Sequence, residues 1–150
     1  MTPSEYQNPI LCADYSDPDI VRVGDDFFMV SSSFNHVPAL PILHSTDLVN
    51  WTIINHVMDE LPLPGYDRYQ PGKGVWAPSI RWHDGKLWVC FSTPDEGIFI
   101  CHTEDPWGEW SAPHCLREAR GWIDPCPFWD DNGQAWLVHA FAHSRSGIKH

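Results

Sequence analysis

Two aspartates that stand directly before prolines have the chemistry of an acid–base pair. Asp17-Pro18 and Asp124-Pro125 each precede a short run of strand-forming residues. Two carboxylates aimed at one pocket are what glycosidic bond hydrolysis uses, one as general acid and the other as general base or nucleophile. Asp-Pro is also a common turn, in which the carboxylate accepts hydrogen bonds from local N–H groups. The residue types alone leave both interpretations open.

The segments that carry these aspartates have an all-β pattern. Short runs rich in Val, Ile, Phe and Trp alternate with turns of Gly, Asp, Asn and Pro, and no helical period of useful length occurs. Hairpins are predicted at residues 19–33, 78–92 and 125–139. The proline after Asp17 lacks an N–H and is expected to keep Asp17 out of helical geometry, at the start of a β-strand.

The hairpins belong to a longer repeat. The segment His44–Trp51 resembles His102–Trp110, and each ends in a polar turn with a Trp that can anchor an outer strand. A unit of about 40 to 60 residues with four antiparallel strands is what a β-propeller blade requires. We expect a first blade at about residues 17–57, a second at about 75–117 and the start of a third at about 122–150.

Two consequences follow from a propeller. Because propellers close with about four to eight blades, the 150 residues are expected to be the N-terminal part of a single propeller domain in a longer protein. The innermost strand of each blade lines the central funnel, so residues at one repeat position face one cavity. Superposing the hairpins aligns Asp17, Ala77 and Asp124. The two acids are therefore expected to face each other, with no acid at the middle position.

The composition limits the partners. Nine basic and 20 acidic residues give a net charge of −11, which argues against nucleic acid or an anionic membrane as a partner. Nine Trp, four Tyr and seven Phe suit the apolar faces of sugar rings, although a β-rich core also uses aromatics. The five cysteines lack a Cys-x-x-Cys spacing and predict neither a disulfide framework nor a zinc site. With no leader-like segment visible, a cytoplasmic protein is expected.

Taken together, the motifs resemble the N-terminal half of a family 43 glycoside hydrolase, with the order and spacing found in its β-xylosidase and α-L-arabinofuranosidase members. The likeness extends over nearly the whole chain and is more specific than any one motif. The motifs that carry it are Asn8-Pro9-Ile10-Leu11, Ser16-Asp17-Pro18-Asp19-Ile20, Val23-Gly24-Asp25-Asp26, Ser31-Ser32-Ser33-Phe34, His44–Trp51, Val75-Trp76-Ala77-Pro78-Ser79, Ile123-Asp124-Pro125 and Asp130-Asp131-Asn132-Gly133.

The resemblance implies a five-bladed β-propeller in the intact protein and hydrolysis with inversion. It makes Asp17 the general base that activates water, and Asp124 the carboxylate that tunes the pKa of the general acid and helps to orient the substrate. A carboxylate beside a Glu disfavours ionisation of that Glu and so keeps its proton available. Phe34 and Trp76 are expected to form apolar walls of the sugar pocket. The implied partner is a pentose-containing plant polysaccharide or its oligosaccharides.

One departure from the family decides the expected activity. The general acid of the family is a Glu in a Glu-Gly-Pro segment on a later blade, and the 150 residues contain no such segment. Glu96, Glu104, Glu109 and Glu118 belong to the second repeat or the linker beyond it and are not expected to replace that acid. These residues alone are therefore predicted to be inactive. A non-catalytic carbohydrate-binding propeller is the alternative function.

The other candidate motifs are weaker. His139 and His143 could share a strand face, but without a third ligand ordinary pocket or core histidines are favoured, and no cofactor or metal is predicted. A structural metal supplied by later blades, the oligomeric state and the choice between xylose and arabinose stay open. Asp130–Gly133 favours a hairpin turn over a calcium loop. Ser31–Ser33 favours a strand end or funnel rim, and residues 61–73 a rim that shapes leaving-group subsites.

Overall fold

The chain folds into antiparallel β-structure, as its alternating pattern predicts. The computed structural model describes residues 5–146. Those residues form ten strands followed by one short helix. In chain order they are β1 (Asp19–Val23), β2 (Asp26–Val30), β3 (Ala39–Ser45), β4 (Thr52–Met58), β5 (Trp76–His83), β6 (Lys86–Thr93), β7 (Gly97–Thr103), β8 (His114–Glu118), β9 (Trp122–Trp129), β10 (Ala135–Phe141) and α1 (His143–Ser146).

The described strands make two four-stranded sheets and one two-stranded sheet. Their orders are β1-β2-β3-β4, β5-β6-β7-β8 and β9-β10, so every sheet is a simple meander. The first strands of the sheets are neighbours in space, with β5 contacting both β1 and β9. Consecutive meanders whose first strands lie side by side are successive blades of a β-propeller. The all-β propeller class predicted from the repeat is confirmed.

The three predicted hairpins are present, and a glycine with positive φ turns each one. Gly24, Gly85 and Gly133 have φ values of 64°, 75° and 78°. A Cβ at any of these positions would meet nothing within 4 Å, so the requirement is backbone conformation rather than space. The turn at Asp130 is confirmed as a hairpin turn, since its carboxylate accepts bonds from the N–H groups of Asn132 and Gln134.

The backbone at the aligned Asp, Ala and Asp positions is left-handed. Asp17 lies before β1, and its φ is 49°, in the left-handed region rather than the extended one. Ala77 and Asp124 have φ values of 32° and 53°. Asp17 thus lies outside right-handed helical geometry, just before a strand, but in a left-handed conformation that the sequence pattern does not indicate.

A β-bulge explains this geometry. In the second sheet Trp76 and Ser79 pair with Ser92 and Cys90, and in the third Ile123 and Cys126 pair with Ala140 and Val138. An advance of three residues along the inner strand thus faces an advance of two residues along its partner strand. The first sheet has the same count, because Asp19 pairs with Val30 and the Ser32 N–H bonds to the Ser16 carbonyl. An extra residue in one strand takes up an irregular conformation and bends that strand.

The hydrophobic core fills the space between the first two sheets. Val30, Ile42, Ile80, Val89 and Phe91 are fully buried within one cluster. Val30 and Ile42 belong to β2 and β3 of the first sheet, and the other three belong to β5 and β6 of the second. These strands present an apolar face to the neighbouring blade. The inner strands that carry the aligned acids are therefore fixed against a packed interior.

The five cysteines are unpaired. Cys90 and Cys101 are buried, and burial raises the pKa of each thiol to about 12. Thiols held in the protonated form behave as small apolar groups rather than as nucleophiles. Within residues 5–146 no helix has the length and apolar character needed to cross a membrane.

Replacing Gly97 by alanine is expected to destabilise the second sheet. Gly97 opens β7 with φ of 151°, and a Cβ there would lie 2.1 Å from the carbonyl oxygen of Arg117 on β8. Gly24→Ala is the matched control, since Gly24 also has positive φ but open space around it. Gly97→Ala should lower the free energy of unfolding in urea by about 1–3 kcal/mol more than Gly24→Ala. Equal losses would contradict the steric argument.

Candidate active site

The two predicted catalytic aspartates lie on the inner strands of the first and third sheets. Asp17 precedes β1 and Asp124 is the third residue of β9, and both side chains are exposed. The pKa of Asp124 is raised by partial burial and by the negative charge of Asp17. The two carboxylates are therefore close enough to act on each other, across the second blade. Ala77 occupies the matching bulge on β5 between them.

The Asp17 carboxylate is held by a serine on the strand beside it. Ser32 Oγ donates a hydrogen bond of 2.7 Å to Asp17 Oδ2 and accepts one of 2.8 Å from the Ala77 N–H. Ser32 is only 4% exposed. A buried hydroxyl with both bonds made fixes the carboxylate relative to the second blade, while leaving its other oxygen free of this bond.

A second polar layer lies two residues further along the inner strands. The Asp19 carboxylate accepts bonds from the Ile80 N–H and from Arg81 Nη1, and Arg81 Nη2 donates to Cys126 Sγ at 2.9 Å. Desolvation opposes the charge on Arg81, but Asp19 beside it keeps the pKa of the guanidinium above its ordinary value. This chain of contacts joins all three inner strands directly below the aspartates. Sequence reasoning missed it, although Asp19, Ser79 and Cys126 share one repeat position.

The aromatic residues predicted as pocket walls are in contact. Phe34 and Trp76 meet edge to face with ring centroids 5.8 Å apart. Trp76 Nε1 donates to the Gly72 carbonyl at 3.1 Å, and the Arg145 guanidinium lies 5.8 Å from the centroid of the Trp76 ring. Both aromatic side chains are half-buried. The pair is thus rigidly placed, and its role as a sugar-binding wall stays a prediction.

The irregular segment before β5 lines a cavity of about 230 Å³. Asn35 Oδ1 accepts a bond from the Gly72 N–H, and Ser33 pairs with Val75 through two backbone bonds. A Cβ on Gly74 would lie 2.4 Å from the Ser33 carbonyl oxygen, so the two segments approach too closely for any other residue. The irregular segment predicted at residues 61–73 is present, and the Gly72 carbonyl in it accepts a hydrogen bond from Trp76; whether the segment forms a rim stays a prediction. Its role in leaving-group binding stays a prediction.

Asp95 is a charged centre that sequence reasoning missed. This residue in the β6–β7 turn lies 2.9 Å from Arg145, 3.5 Å from Lys73 and 3.5 Å from Arg120. Its partners come from the rim segment, the β8–β9 linker and α1, so one carboxylate ties three irregular segments together. It also fixes Arg145 over Trp76. No local pattern marks these contacts, because up to 50 residues separate the partners.

The nearby glutamates have other partners. Glu96 accepts a hydrogen bond of 2.8 Å from the Tyr66 hydroxyl, and burial together with that carboxylate raises the pKa of Tyr66. Glu104 pairs with Lys86 at the hairpin end of the second sheet. Glu96 therefore anchors the rim segment to the β6–β7 turn. These contacts support the expectation that neither residue replaces a general acid.

The histidine pair of the sequence pattern is not a cluster of ligands in the described residues. His139 stacks on Trp122 with centroids 3.8 Å apart, and His143 belongs to α1 rather than to the strand. Within residues 5–146, no three His, Cys, Asp or Glu side chains are gathered as they would be around a metal ion. His139 is thus a packing residue of the β9–β10 hairpin.

Comparison with known proteins assigns the family. The described residues form part of a β-propeller, and the inner strands of two of its blades each carry an aspartate at a bulge. Residues 6–150 match the model of the glycosyl hydrolases family 43. The chain belongs to that family, which confirms the resemblance found in its motifs.

The relatives are named as enzymes of pentose sugars. The chain is 41% identical to a putative beta-xylosidase of Xylanibacter ruminicola, over 88% of this chain and 24% of the relative. It is 38% identical to a non-reducing end alpha-L-arabinofuranosidase of Bacteroides ovatus, over 80% of this chain and 23% of the relative. A solved GH43 protein of Bacillus licheniformis superposes with a TM-score of 0.81 at 31% identity, over 90% and 29% of the two chains. The chain thus spans about a quarter of the length of these curated relatives.

Removing the charge of Asp17 is expected to lower the pKa of Asp124. Asp17→Asn deletes the repulsion but leaves the burial, so the pKa should move toward the ordinary value of an aspartate without reaching it. The measurement is NMR titration of the side-chain carboxyl carbons. Asp25→Asn, in the β1–β2 turn, is the control and should leave Asp124 unchanged. An unmoved Asp124 in Asp17→Asn would show that the two acids are not coupled.

Proposed function

We propose that the complete gene product hydrolyses O-glycosidic bonds in pentose-containing plant polysaccharides or their oligosaccharides, with inversion. The observation that carries the proposal is the placement of two aspartates at matching bulges of the inner strands of different blades, where burial and the negative charge of Asp17 raise the pKa of Asp124. Like-charged carboxylates are rarely brought together for stability alone, because each disfavours ionisation of the other. Family membership supports a glycoside hydrolase.

Asp17 acts as the general base in this proposal. A base must be ionised, fixed and open to water. The Ser32 hydroxyl donates to one oxygen of Asp17 and so fixes the carboxylate, and the side chain is exposed. The carboxylate is therefore placed to take a proton from a water molecule that attacks the anomeric carbon from the face opposite the leaving group.

Asp124 acts as the modulator of the general acid. Its carboxylate lies close to Asp17 but on another blade, and it is partly desolvated. A negative charge in such a place raises the pKa of a neighbouring Glu, and so keeps that Glu protonated until the leaving-group oxygen needs the proton. The same carboxylate can accept a hydrogen bond from a sugar hydroxyl and so orient the ring.

The proposed substrate class follows from the relatives and the pocket walls. The names beta-xylosidase and alpha-L-arabinofuranosidase both describe enzymes of pentose glycosides. Phe34 and Trp76 lie in contact beside the bulge of Ala77 and supply apolar surface for the C–H faces of a sugar ring.

We further propose that the 150 residues alone do not hydrolyse glycosides. They contain no Glu-Gly-Pro segment, and Glu96 and Glu104 are bonded elsewhere. Without a proton donor the departing sugar oxygen leaves as an unstabilised anion, and general acid catalysis is worth about 10²- to 10⁴-fold.

Asp17→Asn in the complete gene product should reduce kcat on aryl β-xyloside and aryl α-L-arabinofuranoside by about 10²- to 10⁴-fold, because an amide cannot accept the proton of water. Asp25→Asn, an equal change in an exposed turn, should leave kcat unaltered. Undiminished turnover in Asp17→Asn would refute the assignment of the base. Binding of xylo-oligosaccharide by a wild-type protein that turns over neither substrate would instead identify a carbohydrate-binding propeller.

Asp124→Asn should lower kcat and also move the basic limb of the pH–rate profile to lower pH. Without the negative charge of Asp124 the general acid loses its proton more readily, so activity falls at a lower pH. The profile of kcat against pH on the aryl glycosides measures this shift. A basic limb that stays in place would contradict the role of modulator, even if kcat falls.

A further inference from the structure

The neighbours of Ser32 determine to which group its hydroxyl donates a hydrogen bond and from which group it accepts one. The Ala77 N–H can only donate, so it occupies a lone pair of Ser32 Oγ at 2.8 Å. The hydroxyl proton is then directed at Asp17 Oδ2, 2.7 Å away. Because the hydroxyl donates to one carboxylate oxygen, that oxygen is held in place by the bond.

The serine itself has little freedom to move. Its N–H bonds to the Ser16 carbonyl at 3.0 Å, and the next residue, Ser33, exchanges two backbone bonds with Val75. Ser33 Oγ also accepts a bond from the Leu40 N–H. The segment that carries Ser32 is thus clamped to the first sheet on one side and to the second blade on the other.

The repeat supplies two internal comparisons for Ser32. The bulge pairs Ser32 with Ser16, Ser92 with Trp76, and Ala140 with Ile123. Ser32, Ser92 and Ala140 therefore stand at one repeat position, opposite the bulges of Asp17, Ala77 and Asp124.

The bonding at this position follows the inner-strand residue. Where Ala77 replaces the acid, Ser92 is fully buried and its hydroxyl has no partner among the described residues. Where the acid is Asp124, the position holds Ala140, which supplies no hydroxyl to that carboxylate. Of the two acids, only Asp17 has a serine bonded to it from this position.

We propose that Ser32 is a positioning residue that orients the Asp17 carboxylate for proton abstraction from water. The inference rests on the proposed function, in which Asp17 is the base. Ser32 acts through Asp17 and does not touch the substrate. It differs from a structural serine because its hydroxyl bond ends on the reacting carboxylate.

The test compares Ser32→Ala with Ser92→Ala in the complete gene product, on aryl β-xyloside and aryl α-L-arabinofuranoside. Both changes remove a buried hydroxyl at the same repeat position. Ser32→Ala should lower kcat by about 10- to 100-fold with KM nearly unchanged, because the base is misplaced while the sugar site is intact. Asp124, whose charge is coupled to that of Asp17, is unaltered in both variants.

Ser92→Ala should keep kcat within about twofold, as expected for a hydroxyl without a partner. Thermal unfolding checks that both variants fold, and Ser32→Cys carries the same test if Ser32→Ala does not, because a thiol fills the space but donates weakly. Unchanged kcat, a loss carried by KM rather than by kcat, or an equal loss in Ser92→Ala would overturn the role of Ser32. Full activity in Asp17→Asn would instead show that the proposed base is wrong.

Discussion

A bulge that places a left-handed residue before a proline is the constraint on which the site depends. It occurs at Asp17, Ala77 and Asp124, one in each inner strand. Non-glycine residues with positive φ cost about 1–3 kcal/mol each and persist only where the surroundings hold them. Here the surroundings are the neighbouring blades, since Ser32 on the first sheet bonds to the Ala77 N–H on the second. The contacts between blades therefore also hold the strained backbone of the bulges that carry the two aspartates.

The contacts between blades are polar along the inner strands and apolar in the space between the sheets. Asp19, Arg81 and Cys126 join three inner strands under the aspartates, while Val30, Ile80 and Phe91 fill the space between sheets. Apolar packing supplies most of the stabilisation but tolerates small shifts in register. Directed bonds to charged groups tolerate less, so they fix the relative position of carboxylates that belong to different blades. Asp95 does the same for the segments around Trp76.

The sequence predicts the strands and their repeat because both depend on short stretches of neighbouring residues. Alternating apolar residues and the glycines of the turns are enough to find the hairpins, and their superposition aligns Asp17 with Asp124. It does not predict the left-handed backbone of Asp17, because a bulge depends on how many residues the partner strand supplies. Ser32 is found only by aligning the second strands as well as the first. Arg145 and Asp95 lie 50 residues apart in segments without any period, so only the folded chain brings them together.

The two acids are alike in type and in strand position, so any difference in their roles comes from what surrounds them. At Asp17 the strand partner supplies the hydroxyl of Ser32, which donates a hydrogen bond to the carboxylate. At Asp124 it supplies Ala140, and burial and the charge of Asp17 favour the neutral form. A third carboxylate in place of Ala77 would add repulsion to both and fill the space between them. One repeated bulge thus carries an acid that is fixed by a serine, a position without an acid and an acid without that serine, so one backbone geometry gives two carboxylates with different surroundings.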